Sequence, residues 1–100
     1  MSIWLATLLA ASTAAPAVPR AEWIVHEASE LVVPCREEAE AHYVGRGLVT
    51  YQWTASHKSR GNALFVDGTL RVEGGHDVRV SCRLPRGARL GHMTMELAAP

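Results

Sequence analysis

Val78-Arg79-Val80-Ser81-Cys82-Arg83-Leu84 alternates apolar and polar side chains without a break, and a period of two marks a strand with one face in the core and the other in water. Val78, Val80, Cys82 and Leu84 then point inward. Working outward from this stretch, Thr69-Leu70-Arg71-Val72 repeats the alternation with Leu70 and Val72 inward, and Tyr51-Gln52-Trp53 does so with Tyr51 and Trp53 inward. Leu31-Val32-Val33-Pro34-Cys35 reads in the same phase, with Leu31, Val33 and Cys35 inward. The pattern predicts strands over residues 22–26, 30–36, 49–56, 63–66, 69–73, 77–84 and 89–98. Asp67-Gly68, between β-favouring neighbours, reads as a two-residue hairpin turn, because such turns need positive backbone angles. Gly74-Gly75 and Pro85-Arg86-Gly87 supply the next two breaks. Residues 36–42 favour helix but show no apolar stripe, which predicts a solvated loop with at most one helical turn.

The chain opens on Met1-Ser2-Ile3-Trp4-Leu5-Ala6-Thr7-Leu8-Leu9-Ala10-Ala11, an apolar run too short to span a bilayer and suited to the core of a signal peptide. Ala15-Pro16-Ala17 provides the small residues that a signal peptidase admits. Residues 1–17 are therefore read as a signal peptide, 18–21 as a short leader and 22–100 as one domain, with a secreted, extracellular product. No second apolar stretch long enough to cross a membrane follows Arg20. In an exported chain, the two cysteines, Cys35 and Cys82, are expected to form a structural bridge rather than a metal or redox site. A loop of that length contributes about 4 kcal/mol in the chain-entropy model, a large share of the net stability of so small a domain.

The placement of Leu31 to Cys35, Tyr51 to Trp53, Thr69 to Val72 and Val78 to Cys82 resembles that of an immunoglobulin domain of constant or intermediate type. The resemblance spans residues 23–97. It implies an all-β fold, an antiparallel β-sandwich of about seven strands, whose two sheets are joined by the Cys35–Cys82 disulfide. Trp53 would rest on that disulfide in a core shared with Leu31, Val33, Tyr51, Leu70 and Val80. Val80 stands where the family carries a tyrosine two residues before its second cysteine, which leaves open an unrelated exported β-sandwich.

Charge narrows the partners. Lys plus Arg equals Asp plus Glu, ten of each, a balance that argues against nucleic acid or an anionic membrane surface. The five histidines include no closely spaced zinc pair, Ser56-His57 and Ser81 lack the context of a catalytic serine, and bridged cysteines offer no thiolate. No catalytic, cofactor or metal site is expected. Segment 36–48, with Tyr43, Arg46 and Leu48 around the flexible Gly45-Arg46-Gly47, is the candidate recognition loop. Lys58, Arg60, Arg79, Arg83, Arg86 and Arg89 lend basic character suited to an acidic protein or a sulfated glycan. The function expected is a binding module for a protein ligand. The rival readings are a small exported inhibitor or periplasmic factor, and the first domain of a longer receptor.

Overall fold

The computed structural model describes residues 18–98; the expected signal peptide lies outside them. Its architecture is a four-stranded antiparallel sheet with one helix on one face. Helix α1 covers Val32–Val44, and strands β1 (Thr50–Arg60), β2 (Ala63–Val72), β3 (His76–Pro85) and β4 (Thr94–Ala98) follow as a meander in the spatial order β1-β2-β3-β4. Three short 3-10 turns, Arg20–Glu22, Ala28–Leu31 and Leu90–His92, complete the regular structure. Seven strands in two sheets are thus corrected to four strands in one sheet beside a helix. The all-β expectation becomes mostly β.

Each correction has a local cause. Leu31, Cys35, Ala39 and Tyr43 recur every fourth residue, and the first three are fully buried, so the apolar stripe runs through residues read as a strand and a loop. Pro34 is tolerated because it occupies the first turn of α1, where backbone N–H groups have no helical partner. Val33 points away from the core and is 58% exposed, as helical rather than alternating geometry requires. At its far end the helix closes in a Schellman motif, in which the Leu48 N–H donates to Tyr43 O and the Gly47 N–H to Val44 O. Gly47 takes the left-handed angle, φ 82°, that this motif demands.

Asp67-Gly68 is not a turn. β2 runs straight through it, pairing Gly68 with Ala55 on one side and Val80 on the other. The glycine serves a different purpose, since a Cβ at Gly68 would lie 2.4 Å from the Trp53 ring. The indole lies across the sheet there, half-buried, in the row Trp53, Leu70, Val78. Cys82 belongs to a different row with His57, Val66 and Met95, so Trp53 packs over Gly68 instead of over the disulfide. Tyr51 is 61% exposed rather than inward, because a register shift between Thr50 and Trp53 breaks the alternation of β1. The hairpin turn falls at Gly61-Asn62, where Gly61 has φ 58° and Arg60 pairs with Ala63.

The core lies between α1 and the inner face of the sheet. Leu64, Val66, Leu70 and Val72 from β2 alternate with half-buried or exposed residues, and Val78, Val80, Cys82 and Leu84 from β3 alternate with exposed ones. Leu31, Cys35 and Ala39 close it from above. The Cys35–Cys82 disulfide, with Cα atoms 6.0 Å apart across 47 residues, ties the helix to the second central strand. It joins helix to sheet, not sheet to sheet. Reduction is expected to lower the unfolding free energy by about 4 kcal/mol, read from urea unfolding with and without reductant. A difference below about 1 kcal/mol would mean that packing alone holds the helix in place.

Candidate functional site

Residues 20–25 follow an irregular path beside the domain, and backbone bonds fix it. The Val25 N–H donates to Ala88 O, Gly87 to Val25 O and Leu90 to Trp23 O, at 3.1, 2.8 and 2.7 Å; an antiparallel bridge links Ile24 to Arg89. Val25 turns into the core and Ile24 turns out. The Arg20–Glu22 turn presses against the Leu90–His92 turn so closely that a Cβ on Gly91 would meet Ala21 O at 2.9 Å. Only glycine permits that approach.

After this strap the chain passes through the capped 3-10 turn Ala28–Leu31, which runs directly into α1. The Glu30 carboxylate accepts the His26 and Glu27 N–H groups at 2.8 and 2.9 Å, which is the reach-back half of a capping box. Those two donors hold its carboxyl below the usual carboxylate range, His26 contributing most. The helix start therefore has a fixed position relative to the strap.

Strap, first helical turn and segment 90–95 enclose a groove. At one end it is an apolar cavity of about 270 Å³ among Trp23, Ile24, Val25, Val33 and Pro34, with Leu90 at its base. It continues past Arg20 and Pro34 toward Met93 and Met95, where Glu37 and Glu38 form one wall. Trp23, Ile24 and Val33 are 50%, 48% and 58% exposed, which brings three large apolar side chains to one place on the surface. Such clustering, rimmed by polar groups, marks an interaction site more than scattered exposed apolar residues do. Arg20 braces the rim: its guanidinium sits 5.6 Å from the Trp23 ring centroid and pairs with Glu37. The Trp23 indole N–H donates to Val18 O at 3.3 Å. The flat ring is thereby held at an entropic cost already met in the free protein. The two methionines add an unbranched, polarisable wall that conforms to varied apolar shapes.

The opposite face of the sheet is open and polar. There Ser81 donates to Asp67 at 3.1 Å, Arg71 pairs with Asp77 at 3.0 Å, and Lys58 lies 5.9 Å from the Phe65 ring centroid. Pairing with Asp77 also pushes the Arg71 pKa up. Most of these groups are exposed, and they keep the uncovered face in water. Among the described residues no group of three His, Cys, Asp or Glu side chains could hold a metal ion. No helix among them is long and apolar enough to cross a membrane.

The residues expected to bind lie elsewhere. Tyr43 and Leu48 belong to the helix C-terminus, are half-buried against the core and accept or donate the Schellman hydrogen bond; Arg46 alone of the three is exposed. What looked like a flexible loop is a helix stop. Leu31, Leu70 and Val80 sit in the core, Trp53 at its margin, and Val33 in the groove rather than the interior. Trp23, Ile24 and the Met93, Met95 pair were not singled out by sequence, although two adjacent large apolar residues beside Arg20 were the available signal. No protein-family model, curated protein or solved structure matches the chain.

Two measurements test this construction. Because the folded-state pKa of Glu30 is depressed, its cap contributes stability that is present above the ordinary carboxylate pKa and lost as pH falls through the folded value. Glu30→Gln should lower the melting temperature at pH 7, and the gap from the parent should close as pH falls through and below the carboxylate range. Gly91→Val should force the two 3-10 turns apart at about 1–3 kcal/mol, with faster amide exchange at Val25 and Leu90 while β2 and β3 stay protected. Unchanged exchange at those two amides would show that the strap does not depend on the close contact.

Proposed function

We propose that this protein is an exported binding module that takes an apolar anchor of a protein partner into the groove between residues 20–25, the start of α1 and segment 90–95. The observation that carries the reading is the joint exposure of Trp23, Ile24 and Val33 around a cavity floored by Leu90. Tryptophan and arginine dominate the energetics of protein interfaces, and here Arg20 already braces Trp23. The first half of the chain, residues 1–49, holds six of the ten carboxylates and only Arg20, Arg36 and Arg46 as cations, so the helix side of the molecule is acidic. Glu38, on the groove wall, is in none of the ion pairs among the described residues. A fitting partner therefore presents a bulky apolar side chain flanked by lysine or arginine.

Export is supported by the Cys35–Cys82 bridge, since such bonds form and persist in oxidising compartments, and by the leader-like composition of residues 1–17. The resemblance to immunoglobulin domains contributes only the expectation of binding; the groove needs no second sheet.

Selection of displayed random peptides on the immobilised, oxidised protein tests the reading. Enriched peptides should share an aromatic or leucine anchor beside basic residues. Trp23→Ala and Val33→Asp should each weaken them by tenfold or more, on the order of the 1.4 kcal/mol that tenfold represents. Val33→Asp is a useful probe because an acid in the first turn suits the helix dipole, so fold and helix are retained. Arg46→Ala should leave binding intact. Peptides that ignore Trp23→Ala and are lost with Arg46→Ala would move the site to the helix C-terminus and end this proposal.

A further inference from the structure

Among the described residues, the strand at one edge of the sheet, β1, has no neighbour on its outer side. It is also the longest strand, Thr50–Arg60, and beyond Trp53 its residues are exposed on both faces. Ala55, His57 and Ser59 share the inner face with buried residues of β2, yet the helix does not cover them. An edge of this kind presents a row of free backbone donors and acceptors, and natural proteins blunt it or use it. β1 has no proline and no acid.

Its charges are separated along its length. Lys58 and Arg60, with His57 beside them, occupy the hairpin end. At the other end stand two carboxylates from neighbouring elements: Glu73 accepts the Val49 N–H at 3.0 Å, and Glu40 accepts the Thr50 hydroxyl at 3.4 Å. None of Lys58, Arg60 and Glu73 takes part in an ion pair among the described residues. We infer that this edge pairs with the same edge of a second copy, antiparallel about a two-fold axis through Ala55, which sets Lys58 opposite Gln52 and Arg60 opposite Thr50 and keeps like faces together, to form a continuous eight-stranded sheet. Antiparallel pairing brings the hairpin end of each copy against the Thr50 end of the other. Lys58 and Arg60 then face Glu73 of the second copy twice, once on each side of the axis. Lys58 and Arg60 lie on the outer face of β1, opposite Phe65 and Ala63, and Glu73 opens the turn after the inward Val72, so alternation carried on by one residue puts all three groups on one face. Parallel pairing would set Lys58 and Arg60 against their own copies, and like charges in register repel.

The small side chain of Ala55 sits at the axis, with Ser56 beside it, where the closest approach falls. On the helix side, Trp53 of each copy comes opposite the uncovered stretch Ala55 to Ser59 of the other. The interface is isologous and closes as a dimer. Its groove-bearing edges lie on the far sides, beyond β4, so the inference is independent of the partner proposed for the groove.

Sedimentation equilibrium of the oxidised, full-length protein without any ligand tests it. A dimer is expected, weakening as salt rises. Lys58→Glu with Arg60→Glu should raise the dimer dissociation constant tenfold or more, and Glu73→Lys should do the same; all three together should restore it to within about threefold, as swapped complementary charges do. Arg79→Glu, on the outer face away from the edge, should change it little. A protein that is monomeric at about 100 µM overturns the inference. So does a dimer indifferent to both charge reversals, or one that the combined exchange does not rescue while circular dichroism shows every variant folded.

Discussion

The disulfide between Cys35 and Cys82 is the constraint on which the rest of the structure depends. A helix of thirteen residues that fully buries only Cys35 and Ala39, with Leu31 just before it, has little apolar area with which to hold itself on a sheet. The bridge runs from the second turn of the helix to the centre of β3, a strand paired on both sides. One covalent bond thus sets the height and position of α1 over the sheet. The consequences extend outward from there. With α1 fixed, its first two turns lie where the strap of residues 20–25 can reach them through the Arg20–Glu37 pair, while Glu30 caps the turn between strap and helix. The groove is the space left between them. Domains below the size at which a core suffices commonly rely on such a staple.

Strand content was legible in the sequence because one face of the sheet is buried and the other is open, and that is the condition under which alternation is cleanest. Val78 through Leu84 shows it best, and Leu70 and Val72 keep the same phase. The errors cluster where one residue type serves two geometries. Leu31-Val32-Val33-Pro34-Cys35 has the β-branched residues of a strand, but Leu31 and Cys35 also stand four apart, and Ala39 and Tyr43 continue that series beyond the segment. Read over five residues it alternates; read over thirteen it is a helix. Asp67-Gly68 failed for a different reason, since a glycine admits either a positive backbone angle or the close approach of a neighbour, and only the position of Trp53 distinguishes the two. The disulfide was assigned correctly in pairing and incorrectly in what it joins. A cysteine pair specifies a distance between two points on the chain, whereas the elements bearing them must be read separately.

The groove was the least legible part. Trp23 and Ile24 have the residue types of a strand opening, and nothing local marks them as exposed. Their exposure follows from a contact across seventy residues, in which Gly91 admits Ala21 and the 90–92 turn lifts the strap away from the sheet. The loop expected over residues 36–48 is replaced by helix for the converse reason. Gly45-Arg46-Gly47 looks mobile as a sequence, yet Gly47 makes the left-handed turn of a helix stop, and Tyr43 and Leu48 are committed to the contact that closes it.

Charge placement ties the two surfaces together. The chain is neutral, but its neutrality is the sum of an acidic helical half and a basic sheet half, the latter carrying seven cations against four carboxylates between residues 50 and 98. A neutral total excludes little when the charges are sorted in space. Sorting also leaves the two proposed contacts free of competition with each other. Groove and free edge of β1 sit at opposite ends of the strand order, and they differ in what they offer: apolar side chains with an acidic wall at one, backbone groups with opposite charges at its two ends at the other. A two-fold assembly through β1 carries both grooves outward on a rigid sheet, so a partner presenting two anchors binds the second at a high effective concentration.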